Sequence, residues 1–339
     1  RSMDLSPLKT CKLKVLSLKD CGVNSLNFQP LATSPLHKLY VINCPLKKID
    51  VSPLKNTLTE LWLGTLQNTY FWEEINHKQT KPKYQLLDLS KMKKLKRVYA
   101  CGVASLKTVK LKDTKTKQGI RSLLELHLYG TGIRTLDATA AKKLKRLFVG
   151  DRIRKLTVDK CKKLKEIGMI NLGSKQAATI KSSSVQHIQY QGKTLKNLSF
   201  SKCPKLYTLS IKCTKVGTVN LRSNKRLHYM TLNSKKTGKV VYPKVSTKGW
   251  HDCCDLVETN YYKNLDEYKN DPDAKGVYKE YVGYTLEYPT KILDISAWTS
   301  LNKTVKRCMF GYGDFDHEKC ATKKIIINKK LRKADKKWI

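Results

Sequence analysis

The 28 residues from 123 to 150, LLELHLYGTGIRTLDATAAKKLKRLFVG, hold two copies of one apolar frame, and that frame returns along most of the chain. The first leucine of each LxxLxL unit marks the copies at Leu13, Leu36, Leu58, Leu95, Leu123, Leu144, Leu164, Val185, Leu206 and Leu227. From Leu123 onward the markers are spaced by 21, 20, 21, 21 and 21 residues. A second apolar pair follows most markers, as in Leu26 with Phe28, Ile49 with Val51, Val109 with Leu111, Leu198 with Phe200 and Val219 with Leu221. Each copy therefore reads as a short strand, a turn and a return. A unit of that size cannot bury its own apolar side, so neighbouring copies must stack into a solenoid with one continuous core.

The expected fold is an α/β-type solenoid of about ten units, with a parallel concave sheet and a mostly irregular convex side. The units LKVLSLKDCGVNSLNF and LHKLYVINCPLKKIDV fit the leucine-rich repeat pattern, with Cys21 and Cys44 standing where that pattern takes Asn or Cys. The short returns IDVS (Ile49–Ser52) and LDLS (Leu87–Ser90) resemble those of bacterial extracellular repeat proteins, including the internalin-like group. The resemblance covers residues 5–245 and implies a secreted or cell-surface setting.

Charge marks where the array ends. Residues 1–249 carry 51 Lys and Arg against 13 Asp and Glu, a net of +38, whereas residues 250–288 carry 4 against 9, a net of −5. The marker pattern fails at the same place and gives way to a tyrosine-rich stretch with turn signals at Asp271-Pro272-Asp273 and Gly276. The division expected is a repeat array over 1–246 and a divergent C-terminal cap or small module over 247–339, since an open stack must cover its last apolar layer. The 37 residues between Leu58 and Leu95 exceed one period, which places an insertion at about 66–86. Its Tyr70, Phe71 and Trp72 read either as a cover over the array or as a partner contact.

Eleven cysteines at irregular spacing do not form the framework of a small disulfide-stapled domain. Cys11, Cys161 and Cys203 recur just before a marker, and with Cys21 and Cys44 they read as small buried apolar residues. His251, Cys253, Cys254, Cys308, His317 and Cys320 are zinc-ligand types without the paired spacing of a zinc ribbon; disulfides are the stronger reading there. No cofactor and no metal is called for. No GxSxG, HExxH or phosphate-cradling glycine loop occurs, and the expectation is a protein that is not an enzyme. No run of about 18 apolar residues is present. The opening RSMDLSPLKT reads as a repeat return, as in a trimmed or processed chain.

Alternation along a strand sends the residue between the second and third leucines of LxxLxL out of the concave sheet. That slot holds Ser17, Tyr40, Trp62, Tyr99, His127, Phe148, Gly168, Gln189, Ser210 and Thr231. Four aromatics and a histidine in five consecutive units predict a ladder roughly 20 Å long, at about 4.8 Å per strand. Tyr40, Trp62, Tyr99, His127 and Phe148 are the candidate ligand-binding residues, with Arg97 and Arg146 beside them to add directed hydrogen bonds. Trp62→Ala is expected to weaken binding and spare stability. A basic edge runs alongside, formed by Lys12, Lys94, Lys143, Lys163, Lys205 and Arg226 before the markers and Lys14, Lys96, Lys145 and Lys165 after them. Lysine acts as a point charge, so this composition predicts broad attraction to polyanions. The function expected is a binding scaffold that engages a protein or glycan, with a nucleic-acid-binding repeat protein as the alternative.

Overall fold

Eight of the markers, Leu36, Leu58, Leu95, Leu123, Leu144, Leu164, Val185 and Leu206, are fully buried. Burial of this kind requires one coil to lie on the next, and the strand register shows that it does. The computed structural model describes residues 2–65, 81–116, 118–150, 152–172, 180–244, 283–286, 290–299 and 324–336. It contains two compact units, residues 1–185 and 186–339.

In the first unit the strands Val15–Lys19, Lys38–Ile42, Glu60–Gly64, Arg97–Cys101, Glu125–Leu128, Arg146–Val149 and Glu166–Leu172 pair in parallel, in chain order. Register aligns the outward slots in one row: Ser17 with Tyr40, Tyr40 with Trp62, Trp62 with Tyr99, Tyr99 with His127, and Phe148 with both His127 and Gly168. The returns form shorter parallel ladders, Ser2–Met3 with Ser25–Leu26, Leu86–Asp88 with Thr108–Lys110, and Thr135–Asp137 with Lys155–Thr157. Five returns of this unit close on an Asx turn, in which a carboxylate or amide oxygen accepts the backbone N–H two residues on. Asp4 does so for Ser6, Asn27 for Gln29, Asp50 for Ser52, Asp88 for Ser90 and Asp137 for Thr139, at 2.9–3.0 Å. This is the physical content of the LDLS and IDVS returns.

A second device ends the concave strands. Asp20, Asn43, Gly64, Gly102 and Gly130 all take positive φ, one in each of five consecutive coils. The two non-glycine members are joined by a hydrogen bond from Asn43 Nδ2 to Asp20 Oδ1 of 2.9 Å. At Gly102, with φ +70°, an added Cβ would fall 1.8 Å from Thr65 Oγ1, so only glycine lets the coils close there.

The second unit is built differently. Its strands His187–Ser199, Thr208–Asn220 and Tyr229–Val241 each run 13 residues, so concave segment and return merge into one long strand. They pair in parallel, with Gln189, Ser210 and Thr231 in register. Thr290–Asp294 then pairs with Tyr229–Val241, and Lys324–Ile326 with Thr290–Asp294. Asp294 accepts from Ser296 N at 3.1 Å in an Asx turn like those of the first unit, and the segment LDIS (Leu293–Ser296) is a return in sequence as well. Parallel coiling thus continues beyond residue 246, where the marker pattern is lost. Trp298 stacks on Tyr242 at 5.7 Å and donates through Nε1 to Pro243 O at 2.6 Å.

Cysteine placement follows register. Cys44, Cys161 and Cys203 are buried, whereas Cys21 is half-buried and Cys11 exposed. Cys161 and Cys203 stand three residues before their markers and Cys11 two before, so the packing expected of Cys11 is not found. Tyr70, Phe71, Trp72, His251, Cys253, Cys254, Cys308, His317 and Cys320 lie outside the described residues. Among the described residues no helix is long and apolar enough to cross a membrane.

Candidate functional site

Five rings of the first unit form one stack. Tyr40 and Trp62 have centroids 5.9 Å apart, Trp62 and Tyr99 3.9 Å, Tyr99 and His127 4.4 Å, and His127 and Phe148 4.5 Å, with interplanar angles of 18–30°. Strand spacing imposes this separation, so side chains that share one slot in successive parallel strands meet face to face. The rings therefore spend their faces on one another and present edges to solvent. Platforms on which sugars or bases would stack are not what this row offers.

The stack is closed at the Phe148 end. A Cβ at Gly168 would fall 2.2 Å from Phe148 Cδ1, so the ring lies over that glycine, and its other neighbours include Tyr129 at 5.6 Å. Phe148 is 6% exposed and belongs to a buried cluster with Cys101 and Tyr129. It anchors the row as a buried ring, where its slot led to the expectation of an exposed one. Tyr40, Trp62, Tyr99 and His127 are half-buried.

Beside the rings runs a second row, two residues earlier in each strand: Lys38, Glu60, Arg97, Glu125, Arg146 and Glu166, aligned by the same register. The signs alternate. Arg97 lies 3.6 Å from Glu60 and 3.5 Å from Glu125, and Arg146 Nη2 donates to Glu125 Oε1 at 2.7 Å. Glu60 Oε1 also accepts from Trp62 Nε1 at 2.7 Å and from Tyr40 Oη at 3.3 Å, while Glu125 accepts from Tyr99 Oη at 3.2 Å. The glutamates thus tie the polar edges of the rings to the arginines. Arg97 and Arg146 do sit beside the rings, as their position requires, but much of their hydrogen-bonding capacity is committed to Glu60 and Glu125. Their side chains remain 48% and 52% exposed.

Electrostatics follow from this packing. Burial pushes the carboxyl of Glu125 up, but the hydrogen bond and charge of Arg146 outweigh it and hold the group below its ordinary value. Burial pushes the Tyr99 phenol up to about 12, helped by the charge of Glu125. Burial drives the His127 imidazole down to about 4, against the pull of Glu125. His127 Nε2 stands 3.8 Å from Glu125; a neutral ring at that distance is a stacked member of the row and not an ion-pair partner. Trp62 is sandwiched between Tyr40 and Tyr99 and bonded to Glu60, so its truncation cannot leave stability untouched.

The glutamate row escaped the sequence reading, which weighed only the cations and the slot residues. Its signal was present: ELW, RVY, ELH and RLF are four successive triplets in which the first residue changes sign as the last supplies the stack, and EIG carries the alternation one coil further.

The basic edge lies on the turn that leads into each concave strand. Lys12, Lys94, Lys143, Lys163, Lys205 and Arg226 are all exposed. Backbone hydrogen bonds of 2.8 Å from Leu124 to Lys96, from Lys145 to Leu124 and from Lys165 to Lys145 stack these turns coil on coil.

No family model matches the chain, and no curated protein does. Among solved structures, the functional domain of InlJ from Listeria monocytogenes, described as including a cysteine ladder, is 15% identical with a TM-score of 0.42, over 89% of this chain and 68% of that one. An internalin, InlF, from the same organism is 14% identical with a TM-score of 0.32, over 94% and 81%. A leucine-rich-repeat protein of Leptospira interrogans is 12% identical with a TM-score of 0.27, over 98% and 95%. The chain's own register and its buried leucine frame identify it as a parallel solenoid built on leucine-rich repeats.

Proposed function

We propose that the chain is a non-catalytic binding scaffold whose concave face in the first unit engages a polypeptide. The observation that carries this reading is the aromatic stack bordered by a row of alternating charge. Rigid ring edges supply contact area at low entropic cost, and the half-exposed Arg97 and Arg146 supply donors at fixed intervals. The row from Lys38 to Glu166 sums to zero charge, so this face suits a partner of mixed charge rather than a polyanion. The groups capable of chemistry here are spent on one another: the carboxylate of Glu125 is held by Arg146, and His127 is a weak base buried in the stack. An extracellular or cell-surface setting belongs to the same proposal; burial of Cys44, Cys101, Cys161, Cys203 and Cys213 would keep those thiols from oxidants there.

The test is selection of a displayed random-peptide library on the full chain, followed by binding to Arg97→Gln and Arg146→Gln variants. Selected peptides should lose about tenfold or more in affinity for a variant that removes a hot-spot arginine. Peptides that bind the variants as well as the parent chain would place recognition elsewhere and remove the concave face from consideration.

A further inference from the structure

The tetrapeptide KKLK occurs at residues 93–96, 142–145 and 162–165, each time with the leucine fully buried. Burial of the leucine fixes the turn, and the three flanking lysines of each copy are exposed. Between the first and second copies the equivalent turn is RSLL, residues 121–124, with Arg121 exposed. The four turns belong to consecutive coils, because the strands that follow them pair in that order. Ten cations therefore stand on one edge of four stacked turns, and the same turn positions hold no acid. Among the ion pairs of the described residues, none involves any of the ten.

Elsewhere on the first unit the lysines have company. On the return side a groove of about 670 Å³ mixes Lys47, Lys48, Lys83 and Lys91 with Asp50 and Asp88. On the concave face, cation and anion alternate. The edge carries a single sign, at a repeat set by the coil, with up to three cations on each turn.

We propose that this edge is a binding site for an anionic polysaccharide lying across the coils. The inference rests on reading the chain as a binding scaffold but uses a different surface from the concave face. Charge complementarity names an anion, and spacing narrows the class. Successive cationic turns repeat at about 4.8 Å, close to what a polymer with an anionic group on each sugar ring presents. Duplex nucleic acid carries regularly placed phosphates that arginine's planar fork matches bidentately, and only one of the ten cations is an arginine. A single strand gains much of its affinity by stacking bases on exposed ring faces; among the described residues of this unit the rings are buried or belong to the concave stack, and the four turns contain no aromatic residue. Nine of the ten cations are lysines, which neutralise irregularly placed anionic groups without the geometric demand of a guanidinium fork.

Binding of the full chain to a heparin-derived sulfated polysaccharide, measured by calorimetry across a salt series, tests the proposal. One variant replaces Lys142, Lys143, Lys145, Lys162, Lys163 and Lys165 with Gln. A control of equal net charge replaces Lys47, Lys48, Lys83, Lys107, Lys110 and Lys155, all exposed, with Gln. The edge variant should bind at least tenfold more weakly with a shallower salt slope, since fewer counter-ions are released, while the control changes less than threefold; both should stay folded, with the parent chain's circular dichroism and a melting temperature no lower than the parent's. Equal losses in the two variants would reduce the effect to net charge and overturn the site. Competition by single-stranded DNA as effective as the polysaccharide at equal charge would overturn the carbohydrate assignment. Neither result touches the concave-face reading, which the arginine variants test separately.

Discussion

At the scale of single residues, the stack converts packing into a pH response. His127 titrates near pH 4 in the folded chain because burial disfavours its charged form, whereas an unfolded histidine titrates near 6.5. Between those values the unfolded chain binds the extra proton, so stability is complete above about pH 6.5 and falls as pH drops toward 4, by on the order of 2 kcal/mol. Denaturant titrations from pH 4 to 7 should show that slope in the parent chain and a flatter one in His127→Phe, which keeps the stack and lacks the proton. Glu166, pushed up by burial and opposed by Arg146, contributes with the opposite sign and remains in both proteins. An unchanged slope would mean that the imidazole is not buried as described. Gly168 gives a second test, since an added methyl meets Phe148 Cδ1 at 2.2 Å. Gly168→Ala should displace the ring and cost about 1–3 kcal/mol, as overpacking does, with a loss of near-ultraviolet circular dichroism; Gly22→Ala, where nothing lies within 4 Å, should leave that signal intact.

At the scale of the coil, repeats of the first unit are pinned at the end of the concave strand in five coils and by an Asx turn on five returns, and both pins are local chemistry. Gly102→Ala forces a side chain into positive φ and into Thr65, so it should cost more than removal of one Asx turn by Asp137→Ala, which loses about 1 kcal/mol by analogy with helix caps. Chemical denaturation of the two variants checks the order; a milder Gly102→Ala would show that the coils have room to part. These pins also explain what could be read in advance. Leucine spacing and alternation suffice to align Tyr40, Trp62, Tyr99 and His127, because a fixed period leaves register no freedom. Ring orientation is another matter: whether neighbouring rings offer faces or edges depends on the distance between strands, and whether an arginine is available depends on what stands beside it in the next coil. Such facts reside between repeats 20 to 37 residues apart. The returns at Leu293–Ser296 were legible in composition but hidden by the missing marker before them.

At the scale of the whole molecule, two electrostatic terms oppose each other. The five described ion pairs of arginine and lysine have partly exposed cations, and pairs of that kind contribute about 0–1 kcal/mol each, weakened by salt. Against them stands a net charge of +38 over residues 1–249. Two like charges one coil apart, at about 5 Å, repel by about 0.8 kcal/mol in water before screening, and the lysine edge holds many such neighbours. Repulsion has the larger number of terms, so screening should stabilise the chain. Raising sodium chloride from about 0.01 to 0.5 M, which shortens the Debye length from about 30 Å to less than 8 Å, should raise the melting temperature by about 1.5–3 degrees, as 1–2 kcal/mol does in a protein of this size. Sodium sulfate at matched ionic strength should raise it further, because a divalent anion also neutralises adjacent lysines directly and favours burial of apolar surface. The edge variant with six lysines replaced by Gln removes part of the repulsion in advance, and should start with a higher melting temperature in low salt and gain less from added salt. A melting temperature that falls as salt rises would give the balance to the Glu60, Arg97, Glu125 and Arg146 row, and would make that row, not the lysine edge, the dominant charge feature of the fold.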